Sequence, residues 1–168
     1  MKNFGLLLLV TLILAPTSAA QTGPESHQDP GSTTTPGSLS RGQQMVNRFV
    51  ANHPELAALE IALMSRDGGC STVAASSPED VGEACDADEL GPIRTGQPEV
   101  EAPSREDPVY DITQALHDAQ GHLVGAVGMD LKPEIGTRDE VMARAAALLR
   151  ELEAQIPSKS WLLEAAGR

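Results

Sequence analysis

Residues 109–131, VYDITQALHDAQGHLVGAVGMDL, form the most regularly patterned stretch of the chain. Alternate residues from Tyr110 to Leu116 are apolar, except for Gln114, and every second residue from Leu123 to Leu131 is apolar or glycine. A period of two is typical of β-strands. The polar run between the two halves contains Gly121, which suits the positive φ that many hairpin turns require. The stretch therefore predicts a β-hairpin.

Amphipathic helices are predicted on both sides of this hairpin. Ser40 can cap a helix that ends near Asn52, because Pro54 disfavours helical backbone at the preceding residue. Thr137 and Glu140 have the spacing of a capping box, which predicts a second helix from Arg138. Apolar residues recur along one side of that second helix: Val141, Met142, Ala145, Leu148, Leu149, Leu152 and Ile156.

A second hairpin precedes the first in the chain. Leu59, Ile61 and Leu63 alternate within residues 55–65, a turn follows at 66–69, and CSTVAA at 70–75 reads as the returning strand. Residues 76–101 are acidic and without a regular period, and they are predicted to be irregular. The predicted order is helix, strand, strand, irregular segment, strand, strand, helix, which is an α+β domain with a central antiparallel sheet flanked by an N-terminal and a C-terminal amphipathic helix.

The N-terminus predicts export. Met1–Ala20 has a basic Lys2, an apolar run and a small-residue cleavage site, as in a signal peptide, and the apolar run is too short to span a bilayer. Residues 21–38 are rich in Pro, Gly, Ser and Thr, which predicts a disordered linker. We expect one domain at 39–168 and a soluble periplasmic or secreted protein without stable membrane insertion.

The charge balance restricts the partners. The full chain carries a net charge of −12, and without Lys2 the mature chain has 11 basic and 24 acidic residues, a net charge of −13 (11 − 24). Nucleic acids and anionic membrane surfaces reward Lys and Arg, so we expect neither as a partner. Solubility is the simplest consequence of this charge, and cationic or neutral partners are the other.

Cys70 and Cys85 are the two cysteines of the chain. An even number in an exported protein predicts one disulfide, worth about 3 kcal/mol for a loop of this length. A redox site would require C-x-x-C spacing, and a zinc site would require four ligands, which the neighbouring sequence does not supply.

Sequence motifs for catalysis are lacking. The chain has neither the G-x-S-x-G of serine hydrolases nor a Walker motif, so we expect no enzymatic activity and no cofactor. Asp86–Gly91 resembles the start of a calcium loop, but Leu90 and Gln97 occupy positions that need oxygen donors or a bidentate Glu. An ordinary calcium loop is therefore excluded.

Two groups of polar residues within residues 109–131 are candidates for a functional site. His117, Asp118 and His122 surround the turn and could hold a metal, but solvated turn residues are the preferred interpretation. Tyr110 and Asp111 begin a strand with little other polar character. Asp111 could accept hydrogen bonds from a ligand amine or cap a neighbouring backbone, and both interpretations stay open.

The hairpin of residues 109–131 is the closing hairpin of the predicted domain. It has a D-x-x-G turn at 118–121 and a G-x-x-G strand at 125–128. In these features it resembles the closing hairpin of Cache-type sensor domains, the extracellular PAS-like modules. The resemblance extends to the N-terminal helix and the first hairpin. It implies a pocket on one face of the sheet, roofed by the middle segment, and binding of a small ligand or a partner protein in a sensory role, with Tyr110 and Asp111 where the strand enters the pocket. The alternative is a non-enzymatic interaction protein that uses its acidic residues 78–106 as a contact surface.

Overall fold

The computed structural model describes residues 39–166, so the predicted signal peptide and linker lie outside the described residues. Within this range no helix is long and apolar enough to cross a membrane. The elements in chain order are α1 (Arg41–Asn52), β1 (Leu56–Met64), β2 (Cys70–Ala75), α2 (Ala87–Thr95), β3 (Glu99–Glu101), β4 (Tyr110–His117), β5 (Leu123–Leu131), α3 (Arg138–Glu153) and α4 (Lys159–Leu163). Short 3₁₀ turns lie at Pro78–Asp80 and Pro133–Ile135.

The five strands form one antiparallel sheet in the order β2-β1-β5-β4-β3. Both predicted hairpins are confirmed, as β1 pairs with β2 and β4 pairs with β5. The pairing that joins the two hairpins is between β1 and β5, where Ile61 lies opposite Val127. The strand that closes the second hairpin thereby becomes the centre of the sheet.

One face of the sheet carries the hydrophobic core. Met45, Val46 and Phe49 of α1 and Val141, Ala145 and Leu148 of α3 pack with the apolar side chains of the strands. The strand residues on this face include Leu59, Ile61, Ile112, Leu116, Val127 and Met129. The two predicted amphipathic helices therefore cover the same face. Gln114, which interrupts the apolar alternation, is buried on this face too, and its Nε2 has no hydrogen-bond partner among residues 39–166.

The predicted helix caps are present. The Ser40 side chain accepts a hydrogen bond from the Gln43 backbone N–H at 3.1 Å. Thr137 and Glu140 form the capping box at the start of α3, in which each side chain accepts from the other's backbone N–H. These contacts satisfy backbone donors that the first helical turn leaves without partners.

The prediction that residues 76–101 are irregular is wrong. This segment contains α2, which lies over β4 and β5, and β3, which pairs with β4 at the sheet edge. Asp86 and Glu89, which resembled the beginning of a calcium loop, instead form a capping box at the start of α2. The helix has nine residues and contains Pro92, which lacks a backbone N–H, so its local sequence signal is weak.

Candidate functional site

An acidic cavity of about 270 Å³ lies between the sheet and the segment that precedes and includes α2. It is on the face of the sheet opposite the hydrophobic core. Its lining residues come from β1, β4, β5, the turn after β2 and α2: Ala58, Leu59, Glu60, Ser76, Ser77, Asp80, Asp86, Asp88, Glu89, Asp111, Thr113, Gly128 and Asp130. Seven of these thirteen residues are Asp or Glu, and none is Lys or Arg.

The strand register places acidic residues side by side on this face. Residues directly opposite each other in an antiparallel pair share a face, with Cβ atoms about 5 Å apart. Asp130 is opposite Ala58 on one side and Asp111 on the other, and Asp111 is opposite Glu101. Three carboxylates therefore lie in one row on adjacent strands. Like charges in such positions are destabilising unless something compensates them.

A second row runs parallel to the first. It consists of Glu60, Gly128, Thr113 and Glu99 on β1, β5, β4 and β3. A Cβ atom added to Gly128 would lie 2.9 Å from Cγ of Glu60, so the missing side chain makes room for Glu60 to lie across β5. Gly91 of α2 likewise leaves room for the side chain of Glu99, because a Cβ atom at position 91 would lie 2.9 Å from Oε1 of Glu99.

Burial and mutual repulsion perturb these carboxyl groups. Burial raises the pKa of Glu60 to about 7, and the neighbouring Glu89 adds to this effect. Burial, and to a smaller extent the negative charges of Asp130 and Glu101, raise the pKa of Asp111 to about 6. Burial also raises the pKa of Asp130. The cavity thus concentrates negative charge in a partly desolvated space.

Thr113 is the uncharged polar residue of the second row. Its side chain lies on the cavity face beside Gly128 and Glu99, and the residue is only 5% exposed. Its hydroxyl can form hydrogen bonds with a ligand in the cavity.

A second, smaller cavity of about 160 Å³ adjoins the first. The two share Asp88, Asp111 and Thr113 in their linings, and the second extends over β3 to Glu99, Val100 and Glu101. Acidic residues therefore line both cavities, from β1 to β3 at the edge of the sheet.

The disulfide between Cys70 and Cys85 anchors one end of this site. Residues 82–85 run beside β2, where Thr72 and Glu83 as well as Cys70 and Cys85 pair through backbone hydrogen bonds of 2.9 and 3.1 Å. Asp86, the N-cap of α2, is the next residue after Cys85 in the chain. The predicted disulfide is thus present, and it ties the start of the cavity wall to the sheet.

The two residues predicted to bind a ligand lie on opposite faces of the sheet. Asp111 lines both cavities. Tyr110 is half-buried against the hydrophobic core and lines neither, because successive side chains of a strand alternate between its faces. That Asp111 binds a ligand stays a prediction, and its place in the cavity lining specifies where that ligand would lie. Glu60, Thr113 and Asp130 were not predicted from the sequence as site residues. The signal that could have identified them is a polar side chain on a buried strand, on the face that points away from the hydrophobic core.

The histidines of the hairpin turn have partners within the fold. Nδ1 of His117 is 3.0 Å from Oε1 of Glu153, and Nδ1 of His122 is 3.2 Å from Oδ2 of Asp118. Asp118 also accepts from the backbone N–H groups of Gln120 and His122, which fixes the turn. Throughout residues 39–166, no three His, Cys, Asp or Glu side chains form a group that could hold a metal ion.

Comparisons with known proteins bear on the fold. No family model and no curated protein matches the sequence. The GAF domain of a two-component sensor histidine kinase from Bacillus halodurans has a TM-score of 0.50 at 11% identity, with 70% of this chain and 94% of that chain covered. A GAF sensor protein from Burkholderia vietnamiensis has a TM-score of 0.48 at 14% identity, with 71% and 77% covered.

A third structure is the inducer-binding domain of the PobR transcription factor from Acinetobacter, in complex with 3-hydroxybenzoic acid. Its TM-score is 0.42 at 14% identity, with 70% of this chain and 95% of that chain covered. The chain therefore has a GAF/PAS-like fold, and the predicted α+β class with a PAS-like antiparallel sheet is confirmed. The likeness is to GAF domains, which have a fold related to that of the Cache domains the sequence resembles.

Proposed function

We propose that this protein is an exported, non-enzymatic sensor domain of the PAS-like type, close to Cache domains in role, that binds a small cationic ligand in the acidic cavity. The observation that carries the proposal is the set of carboxylates that surround the cavity without a basic residue among them. An ammonium group would compensate their charge, and the hydroxyl of Thr113 in the cavity lining would accept a further hydrogen bond from it.

The electrostatics favour a cation over other ligands. A buried carboxylate is costly unless it is paired. No Lys or Arg lines the cavity beside Glu60 and Asp111, and burial raises the pKa of both carboxyl groups. Organic acids would add to the repulsion. A small amine would instead convert an unfavourable cluster of charges into a set of charge-assisted hydrogen bonds.

The size of the cavity agrees with a small ligand. A volume of about 270 Å³ is just below the range for small-molecule sites, about 300–1,000 Å³, so only a small ligand fits. The surface is mostly polar, so specificity would come from the positions of charges and not from apolar area.

Binding, not catalysis, is supported by the cavity residues. Ser76 and Ser77 are hydroxyl-bearing residues of the lining, and no histidine of residues 39–166 lines the cavity beside them. The Ser76 Oγ already donates to the Leu59 carbonyl and accepts from the Leu59 N–H. Export is supported by the signal-like residues 1–20 and by the disulfide, a bond that persists in oxidising compartments.

Thermal-shift screening and titration calorimetry test the proposal. We expect primary amines to stabilise the protein near pH 8, and organic acids and neutral sugars to leave it unchanged. Asp111→Asn should weaken amine binding at least about tenfold, since hydrogen bonds to charged groups contribute about 1.5–3 kcal/mol. Glu134→Gln removes the same charge at an exposed position outside both cavities and serves as the matched control.

Two results would contradict the proposal. One is stabilisation by organic acids or by no small molecule. The other is amine binding that Asp111→Asn and Glu134→Gln weaken equally, which would indicate non-specific attraction to an acidic protein. Capture of a stoichiometric protein partner in the absence of any small-molecule response would favour the acidic residues 78–106 as a contact surface.

A further inference from the structure

A groove of about 680 Å³ lies between the first hairpin and α4, and we call it the α4 groove. It shares no lining residue with either acidic cavity. Its lining comes from the end of β1, the turn that follows, β2 and the segment from the N-cap of α4 to its last residue: Leu63, Met64, Ser65, Arg66, Ser71, Val73, Ser158, Lys159, Ser160 and Leu163. Its volume is within the range of small-molecule sites, about 300–1,000 Å³.

Four apolar side chains line the α4 groove. Leu63 belongs to the hydrophobic core and is 4% exposed, and Met64 and Val73 are half-buried. Leu163 of α4 is 56% exposed, which makes it the most exposed large apolar side chain of residues 39–166. A ligand with an apolar chain would remove this surface from water, which the hydrophobic effect favours.

The charge of the α4 groove is opposite to that of the protein as a whole. The chain has 24 acidic and 12 basic residues, yet the groove is lined by Arg66 and Lys159 and by no Asp or Glu. Neither cation belongs to an ion pair within the part of the chain that the structure describes. Asp67, the neighbour of Arg66 in the chain, instead accepts hydrogen bonds from the Ser65 hydroxyl and the Gly69 N–H. The charges of the groove therefore complement an anion.

Two cations and additional hydroxyl groups match a phosphate better than a carboxylate. A phosphate monoester carries a charge of about −1.5 to −2 near pH 7 and has three acceptor oxygens, so it can engage both cations at once. The hydroxyls of Ser71 and Ser160 also line the groove and can donate to the remaining oxygens. A single carboxylate would leave one of the two positive charges without a partner.

We propose that the α4 groove binds a single-chain lipid phosphate as a monomer. Its phosphate lies between Arg66 and Lys159, and its alkyl chain lies against Leu63, Val73 and Leu163. Inorganic phosphate would leave the apolar lining exposed, and an uncharged lipid would leave the cations unpaired. This site is additional to the acidic cavity and does not depend on the proposed amine ligand.

Titration of the full chain with alkyl phosphates tests the inference. The probes are hexyl, octyl and decyl phosphate below their micellar concentrations, near pH 7.5 and at about 150 mM salt, with decylphosphocholine as a zwitterionic probe of equal chain length. Trp161 is the single tryptophan of the chain and lies in α4 between the lining residues Ser160 and Leu163, so its fluorescence reports binding alongside calorimetry. The net charge of −12 works against non-specific attraction of these anions.

We expect one-to-one binding whose affinity rises about fivefold for each two added methylenes, because the groove covers the alkyl chain on one side. The double variant Arg66→Gln/Lys159→Gln should lower decyl phosphate affinity at least about tenfold, whereas Arg138→Gln, an exposed cation outside the groove, should change it less than about twofold. Decylphosphocholine should bind at least about tenfold more weakly than decyl phosphate.

A second pair of variants examines the apolar lining. Leu163→Gln should lower decyl phosphate affinity about threefold, and Leu123→Gln, which changes a similarly exposed leucine outside the groove, should leave it unchanged. Thermal unfolding of each variant verifies that it is folded. Asp111→Asn should not alter alkyl phosphate binding, which separates this site from the acidic cavity.

Several results would overturn the inference. One is affinity that does not depend on chain length or that Arg66→Gln/Lys159→Gln and Arg138→Gln lower equally. Another is binding to vesicles of phosphatidylglycerol without binding of monomeric alkyl phosphates, which would assign the groove to a membrane surface. A third is a dimer in sedimentation that Leu163→Gln dissociates, since a second copy of the chain would then cover the groove.

Discussion

Replacing Asp111 with asparagine should stabilise the unliganded protein near pH 8. Burial, followed by the charges of Asp130, Glu101, Asp88 and Asp107, raises the pKa of this carboxyl from 3.8 to about 6. Between these two pH values the folded state holds a proton that the unfolded chain has released, so stability falls as the pH rises. Above about pH 6 the full penalty is present, and asparagine, which carries no charge, removes it.

The size of the effect can be worked from the pKa. At about 1.4 kcal/mol per pKa unit, the change from 3.8 to about 6 would correspond to about 3 kcal/mol in a dry site. Asp111 is only half-buried, so solvent screening reduces the expected gain to about 1–2 kcal/mol. For a domain of this size the melting temperature should then rise by about 4–8 °C.

The assay is thermal unfolding of the wild type, Asp111→Asn and Glu134→Gln between about pH 4 and pH 8, with the disulfide intact. The advantage of Asp111→Asn should be largest above pH 6 and should shrink steadily towards pH 4, which is close to the ordinary pKa of 3.8 at which the unfolded chain also begins to bind the proton. Glu134→Gln should show no such dependence, since it lies exposed outside the cavities. An Asp111→Asn variant that is no more stable at pH 8, or equally more stable at every pH, would refute the reasoning.

Three further predictions concern other parts of the structure. Gly128→Ala would place a methyl group 2.9 Å from Cγ of Glu60. Because the Glu60 side chain is flexible and can move away, we expect amine affinity to fall while the unfolding free energy changes by less than about 1 kcal/mol. Unchanged amine affinity in calorimetry would contradict the described position of Glu60. Replacing both Cys70 and Cys85 with serine should lower the unfolding free energy by about 3 kcal/mol in urea titrations, and the intact mass of the wild type should be two hydrogens below that of its reduced form. Thr137→Ala should cost about 1 kcal/mol through loss of the α3 cap, whereas Thr137→Ser should retain most of it; equal losses in the two variants would argue against the capping role.

Elements with strong local signals could be predicted from the sequence. The period of two from Leu123 to Leu131 specifies a strand, and the Thr137–Glu140 capping box specifies where α3 begins. The disulfide between Cys70 and Cys85 follows from their even number and the signal-like N-terminus. Each of these features depends on residues that are close in sequence or on simple counting.

The elements that build the cavity wall could not be predicted in this way. α2 is short and contains Pro92, and β3 has only three residues, so neither has enough local preference to be recognised. Both are stabilised by what they pack against, since α2 covers β4 and β5, and Glu99 lies beside Gly91. Tertiary contacts, not propensity, make this segment regular.

The sequence by itself determined that Asp111 is a polar residue on a strand of the closing hairpin. Only the tertiary structure decided which charges surround Asp111. Pairing of β5 with both β1 and β4 brings Asp130 beside it and Glu60 into the next row, from positions distant in the chain. Register and strand order are properties of the whole sheet, because they are selected by the core that forms on its opposite face. The acidic cavity is therefore a consequence of the fold that no local pattern contains.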